Sequence, residues 1–297
     1  MFSIIIITYN RPIDTFDTIE NILSLDLYDN LVEEVIVVNN CSTVDYSSFV
    51  LKIEKLRDNK IKYYVSPENL GVAGGRNFGV EKSNGDILLF IDDDAVFENK
   101  DVLNIMVENY KSKNCGILAF KSKDFTTKKL NRNEFPHRND EYLCREKFST
   151  YFFVGVGHAI RRDIFLRVGG YPDDFFYGME EYDLSYKAID AGFDIIYDSN
   201  IVVLHKKVID GRQATDLILR KYSINKIKVA YRNLPLCYLL SHVFLWIVKY
   251  LIHSKFNFIG VKRIILECYQ GIKYYDRKVI SRKAQSKIVH LGGTLYY

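Results

Sequence analysis

Residues 87–94 read Ile87-Leu88-Leu89-Phe90-Ile91-Asp92-Asp93-Asp94. A short, continuous, branched apolar run of this kind marks a strand buried on both faces, as in parallel sheets. The three acids therefore end a strand, where open α/β sheets gather their ligands. Side chains alternate along a strand, so Asp92 and Asp94 converge on one side while Asp93 points elsewhere. Two converging carboxylates repel unless a cation or strong donors lie between them. Oxygen ligands suit a hard divalent ion, Mg2+ or Mn2+, which usually holds substrate phosphates as well. A solvated acidic turn is the plain alternative. The apolar strand in front of the triplet favours the metal site.

Outward from this strand, the first 205 residues alternate strand and helix signals. Strands are expected at 2–9, 35–38, 61–65 and 201–205, with helices at about 12–27, 46–56 and 180–191 and a glycine-rich helix entry at 71–82. This pattern predicts an α/β fold: a Rossmann-like, mostly parallel sheet with helices on both faces. Residues 121–147 are polar and irregular and read as a surface insertion or mobile loop. Beyond about residue 211 only helices are expected, giving a catalytic region over 1–210 and a helical region over 211–297.

The two regions differ sharply in charge. Residues 206–297 hold 18 Lys+Arg against 4 Asp+Glu, a balance of +14; the rest hold 23 against 33, a balance of −10. A basic tail on an acidic body is suited to a polyanion. Within the tail, 16 consecutive positions between Arg232 and Lys249 carry no charge, short of the ~18 to 20 that span a bilayer. Trp246, Tyr238 and Tyr250 with flanking basic residues fit a helix in a membrane interface; a buried packing helix or an oligomer contact fits equally well. Five scattered cysteines without a C-x-x-C pair argue against a disulfide framework or zinc site and fit a reducing cytoplasm. The start of the chain reads as a core strand and not as a secretory signal. Asn40-Cys41-Ser42 matches a glycosylation sequon, a chance match in a cytoplasmic protein.

Several side chains share the sheet edge of the acidic triplet. Thr8-Tyr9-Asn10-Arg11-Pro12 follows the first strand, Asn39, Asn40 and Asp45 follow the second, and Arg76 follows the third. A nucleotide lying across that edge would place its base near Asn40 and Asp45 and its diphosphate near the acids.

These pieces, in order, resemble the family-2 inverting glycosyltransferases of the GT-A fold, of the bacterial polysaccharide or rhamnosyltransferase type. The matching segments begin with Ile4-Ile5-Ile6-Ile7-Thr8-Tyr9-Asn10, Val37-Val38-Asn39-Asn40 and Asn69-Leu70-Gly71-Val72-Ala73-Gly74-Gly75-Arg76. Phe90-Ile91-Asp92-Asp93-Asp94, Gly155-Val156-Gly157-His158, Gly169-Gly170-Tyr171-Pro172, Glu180-Glu181-Tyr182-Asp183-Leu184 and His205 complete the set. The resemblance spans roughly residues 1–207. It implies that Thr8, Asn40 and Asp45 hold the base and ribose, with Arg76 helping to bind the nucleotide. It further implies that Asp94 ligates a metal with Asp92 nearer the ribose or sugar, that Glu181 is the catalytic base, and that His205 is a further ligand. Asn10, Asp93 and Glu180 join the substrate-binding set, and Asp92 the metal set. Asp45 falls one residue late for the family's usual spacing, and the base position holds Glu where Asp is commoner.

The expectation is thus a cytoplasmic, Mn2+- or Mg2+-dependent enzyme, peripheral on the inner membrane face or self-associating. It would move a sugar from a UDP- or dTDP-sugar to a glycan acceptor on a lipid carrier, in cell-surface polysaccharide synthesis. A sugar nucleotidyltransferase shares the strand-and-acid layout but calls for a glycine-rich basic loop after the first strand. A polyanion-binding protein using the tail is the non-enzymatic reading; the tail's aromatics fall on apolar helical faces, so no nucleic-acid partner is expected. No P-loop, dinucleotide fingerprint or hydrolase elbow is present.

Overall fold

The computed structural model describes residues 1–207, 215–274 and 277–296. The predicted alternation is realised as β1 (Phe2–Thr8), α1 (Pro12–Leu23), a single turn α2 (Tyr28–Leu31), β2 (Val32–Asn39), α3 (Ser47–Leu56), β3 (Ile61–Val65), α4 (Gly71–Glu81) and β4 (Ile87–Ile91). The chain continues through β5 (Ala95–Phe97), α5 (Val102–Tyr110), β6 (Cys115–Asp124), β7 (Lys147–Thr150), β8 (Gly157–Arg161), α6 (Arg162–Arg167), α7 (Glu180–Asp190) and β9 (Asp194–His205). Four helices follow: α8 (Thr215–Asn233), α9 (Leu236–His253), α10 (Phe258–Tyr274) and α11 (Arg282–His290).

One sheet runs in the order β3-β2-β1-β4-β8-β6-β9-β5, with β7 against β9. The expected parallel arrangement holds across β3-β2-β1-β4. β8 then enters antiparallel between β4 and β6, while β6 and β9 pair in parallel. The branched runs are explained by burial on both sides. Ile5, Ile36, Val38, Leu88 and Phe90 face one core, and Ile4, Ile6, Val35, Val37, Leu89 and Ile91 the other. Period-two alternation thus demands apolar residues at every position of a covered strand.

Two expectations need correction. Residues 121–147 are not a loose insertion: β6 runs through Asp124, and Phe135 and His137 are buried, Phe135 against Phe148 and Tyr197. Apolar anchors spaced among polar residues hold the segment down.

The helical region packs against the main core. Val229 and Ala230 of α8, Leu234 just after it, and Ile280, Ala284, Ile288 and Leu295 around α11, belong to the main core. Lys287 pairs with Asp194 at 2.6 Å, and His137 Nε2 meets the Leu291 carbonyl at 3.1 Å. The expected boundary at 210/211 lies outside the described residues. Trp246 and Tyr250 face inward, packed with Ile224, Ile227, Ile264 and Cys268, rather than outward as the interface reading had them. α9 is apolar around most of its circumference, so its sequence does not announce which side the aromatics take. Tyr238 is half-buried, edge-on to Tyr296.

This shared core sets a test. Ile288→Ala removes a fully buried side chain and should cost about 2–5 kcal/mol. Thermal unfolding should remain one cooperative transition at a lower midpoint. A biphasic melt whose main step is unshifted would mean that α11 belongs to a separate unit.

Candidate active site

The acidic triplet forms the turn from β4 into β5, closed by Ala95 N–H donating to the Asp92 carbonyl at 3.2 Å. β5 is short, but it pairs antiparallel with the end of β9 so that Ala95 opposes His205. Lys206 N–H donates to the Asp94 carbonyl at 2.8 Å. The imidazole is thereby brought to the acids from more than a hundred residues away. Its Nε2 lies 3.3 Å from Asp94 Oδ1. Ligand atoms of Asp92, Asp94 and His205 all fall within 4.8 Å of one another. Two carboxylates and one imidazole on neighbouring atoms form a fitting donor set for Mn2+ or Mg2+, the nitrogen favouring Mn2+.

Arg76, on α4 and almost wholly buried, faces the triplet from the other side. Its guanidinium donates to Asp92 Oδ1 at 3.2 Å and to the Gly155 carbonyl at 2.9 Å. It also lies 3.3 Å from Glu180 Oε1 and 3.7 Å from Glu181 Oε1, both at the start of α7. Gly155 permits this approach: a Cβ there would collide with Glu181 Oε1 and stand 2.9 Å from Arg76 Nη2. Burial pushes the Glu180 and Glu181 carboxyls above the usual carboxylate range, and Arg76 only partly offsets it. Asp92 is raised for the same reasons.

Arg11 supplies a second cation, with Nη1 3.0 Å from both Asp93 Oδ1 and Asp94 Oδ2. Burial nonetheless carries Asp93 up to about 7, against the pull of Arg11. Glu134, from the segment between β6 and β7, accepts from His205 Nδ1 at 3.1 Å. Burial disfavours a charged His205, but its contacts with Asp94 and Glu134 outweigh that and hold it near 10. Ligation through His205 therefore requires the loss of a firmly held proton. Six carboxylates, Asp92, Asp93, Asp94, Glu134, Glu180 and Glu181, here crowd around Arg11, Arg76 and His205. The excess is negative, which suits an added cation.

Two clefts open on this cluster. One, of about 510 Å³, is lined by Tyr9, Arg11, Asn40, Asn69, Phe176 and the acidic triplet. The other, of about 480 Å³, is lined by Glu134, Phe152, Glu180, Glu181, Tyr182 and Tyr222. Both count Arg76, Asp92, Tyr177 and His205 in their walls, so they meet at the acids.

Other expected site residues land elsewhere. Thr8 is fully buried, its hydroxyl 2.6 Å from Tyr46 Oη and accepting from Thr15 at 2.7 Å, and it also bonds to Asp93 beneath the triplet. Asn10 has positive φ, and its side-chain Oδ1 accepts from Thr43 N–H at 2.8 Å, tying the loops after β1 and β2 together. Asp45 is exposed and accepts from Ser47 N–H at 2.9 Å, starting α3; it does not line either cleft. Asn40 does line the first cleft, but its amide is spent on Leu70 N–H at 2.9 Å and the Gly71 carbonyl at 2.9 Å. It shapes the loop entering α4. Sequence reading passed over Arg11 as a site residue, although it stood inside a quoted motif, and Glu134, a lone acid in a polar stretch without a signal of its own. Asp183, the third acid in the first turn of α7, is paired with Asn233 at 2.7 Å and Lys187 at 2.5 Å, away from both clefts.

Comparison with known proteins gives a consistent set of likenesses. The model of glycosyl transferase family 2 matches residues 3–169. An uncharacterised protein of Haemophilus influenzae is 35% identical, over 58% of this chain and 93% of its own length. The O-antigen chain rhamnosyltransferase WbaN of Salmonella anatum is 25% identical, over 71% of this chain and 68% of its own. A GalNAc(5)-diNAcBac-PP-undecaprenol beta-1,3-glucosyltransferase of Campylobacter jejuni is 29% identical over 51% and 50%. Among solved structures, the mannosyltransferase PcManGT of Pyrobaculum calidifontis with GDP-Man and Mn2+ superposes with a TM-score of 0.63 at 17% identity, covering 97% of this chain and 78% of that one. Staphylococcus aureus TarS 1-349 with UDP-GlcNAc gives 0.61 at 18% identity, covering 86% and 74%. At these identities the structural likeness establishes the GT-A arrangement alone.

The buried guanidinium at the junction of the clefts is testable without any substrate. Arg76→Met strands three acids and should cost about 3–5 kcal/mol. Carboxyls raised in the folded state lose stability as pH climbs through their folded pKa, because the unfolded chain releases the proton more readily. The variant's melting point should therefore fall further below the parent's at pH 8 than at pH 5. An equal deficit at both pH values would mean that the acids do not depend on Arg76.

Proposed function

The chain belongs to glycosyl transferase family 2, and we propose that it is an inverting enzyme using a UDP- or dTDP-sugar. The acceptor in this reading is a glycan on a lipid carrier, in bacterial cell-surface polysaccharide synthesis. The observation that carries it is the meeting of two clefts at Arg76, one holding the Asp92, Asp94 and His205 cluster and the other Glu181.

The chemistry follows from that arrangement. The donor would lie in the first cleft, its base towards Tyr9 and the loop pinned by Asn40, its diphosphate towards Arg11 and the acidic triplet. A divalent ion held by Asp92, Asp94 and His205 would neutralise charge developing on the departing diphosphate. Glu181 would take the proton from an acceptor hydroxyl in the second cleft. That oxygen then attacks the anomeric carbon while the bond to the diphosphate oxygen breaks and its electron pair leaves with the nucleotide, inverting the centre. Arg76 stands between the two events and keeps Glu181 and Asp92 apart. Phe152, stacked on Tyr182 at 4.9 Å, would give the acceptor sugar an apolar platform.

The donor assignment draws on the solved UDP-GlcNAc complex and the rhamnosyltransferase relative, and the lipid carrier on the undecaprenol-linked substrate in the Campylobacter relative's name. Such an acceptor fits an enzyme working at the cytoplasmic face of a membrane. Since Asp45 lines neither cleft and the Asn40 amide is engaged with the loop entering α4, reading of the uracil or thymine N3–H would fall to backbone near Tyr9 and residues 66–71.

Calorimetry tests the donor and the metal together. UDP and dTDP should bind in the presence of Mn2+, with binding lost in excess EDTA and in Asp94→Asn. Tighter binding of GDP than of UDP would overturn the donor assignment, and undiminished binding in EDTA the metal one.

The base is tested by rate. Glu181→Gln should lower kcat by roughly 10²–10⁴-fold with donor binding near the parent's. Because burial raises the Glu181 carboxyl, the parent's rate should climb with pH through a midpoint above the usual carboxylate range. A larger loss in Asp183→Asn than in Glu181→Gln would assign the wrong acid.

A further inference from the structure

The turn joining α9 to α10 concentrates exposed apolar side chains as no other described part of the chain does. Ile252 is 61% exposed, Phe256 63%, Phe258 68% and Ile259 71%, all within eight residues. The chain passes through Lys255 and Phe256 with positive φ, a conformation that residues other than glycine disfavour. The turn is nonetheless firmly built. Tyr250 Oη donates to Asp216 at 2.7 Å, and Gly260 brings α10 so close to the Tyr250 ring that a Cβ there would overlap it. Along α9 the same exposure continues through Leu240 and Phe244, one helical turn apart.

Basic side chains frame this projection. Residues 249–263 contain Lys249, Lys255, Lys262 and Arg263 and not one Asp or Glu. We propose that the α9–α10 turn inserts into the headgroup region of an anionic membrane, with Phe256, Phe258 and Ile259 entering the acyl boundary and the exposed Lys255, Lys262 and Arg263 meeting lipid phosphates.

Charge selects this occupant over a second copy of the chain. A symmetric contact would set the basic tip against its own image, where like charges repel. An anionic bilayer answers both the apolar points and the cations. The geometry also selects lying over crossing. α9 is long and apolar enough to span, with a mean hydropathy of 1.5. Its inner side, however, is bound to the protein: His242 Nε2 meets the Leu295 carbonyl at 3.0 Å, Ser241 donates to the Tyr296 carbonyl at 3.0 Å, and Trp246 is buried. A spanning helix would have to abandon these contacts. The docking does not rest on the donor, acceptor or mechanism proposed above; its use in delivering a lipid-linked acceptor does.

Because α8 and α11 share the main core, truncation would damage the enzyme, and point variants of the full chain are the proper probe. The parent should co-sediment with phosphatidylglycerol-containing vesicles roughly tenfold better than with pure phosphatidylcholine vesicles, and less well as salt rises. Phe256→Ser/Phe258→Ser/Ile259→Ser should lose about tenfold or more of that partitioning. The thermal unfolding midpoint, measured in parallel, should be unchanged in the variant, which shows it folded by a readout independent of the donor assignment. Equal partitioning of parent and variant, or none by the parent, would overturn the proposal. So would a parent dimer in analytical ultracentrifugation that the triple variant makes monomeric, since that gives the face to a second copy.

Discussion

A single buried guanidinium organises the chemical end of this fold. Arg76 reaches out of α4 to touch the turn after β4, the carbonyl before β8 and the first turn of α7. Those three segments belong to different parts of the sheet, and each would otherwise present an acid or a carbonyl to a nearly dry space. Desolvating so many oxygens around one cation is expensive. The cost is met by the scaffold: α4 is clamped between β1, β2 and the loop at Phe176, and Val72 N–H donates to the Phe176 carbonyl at 2.8 Å. The stability of the sheet sustains a site that would not hold itself together.

Much of this architecture could be read directly from the residues. The run from Ile87 to Asp94 placed a buried strand and an acidic end where both are found, and Asp92 and Asp94 do converge while Asp93 turns to Arg11. His205 was also placed correctly at a strand end, although its meeting with Asp94 depends on the register of β5 against β9. Residues chosen because they lie on the right edge also have local partners. Asn10 and Asp45 bond to neighbouring backbone and hydroxyls, and Thr8 to Tyr46, Thr15 and Asp93. Short polar side chains find local partners first, and position along a strand does not reveal that choice. Glu134 was missed for the converse reason: its importance comes from Phe135 and His137 anchoring the segment beside it, which only packing reveals. On α9, an apolar pattern on nearly every side concealed the inward turn of Trp246 and Tyr250.

Electrostatically the site is unfinished. Its acids outnumber its cations, several carboxyls are raised by burial, and His205 is kept protonated by Asp94 and Glu134. These are features of a site poised for additional positive charge. Arg11 and His205 meanwhile occupy the faces of Asp94 where such charge would act, so ligand entry and proton release are linked.

The footing of α7 has a consequence for how such enzymes diversify. Asn225 on α8 donates to the carbonyls of Tyr177 and Gly178, just ahead of Glu180, while Asn233 holds Asp183. α8 in turn carries α9 and α10 on its far side. The stretch that would read an acceptor and the helices that face outward are therefore mounted on one beam. An exchange of specificity between relatives that swapped α7 alone would sever its supports. Ser281 N–H, just ahead of α11, donates to Asp190 at the far end of α7 at 2.7 Å, so a changed acceptor surface would have to be accommodated by α8 and α11 together.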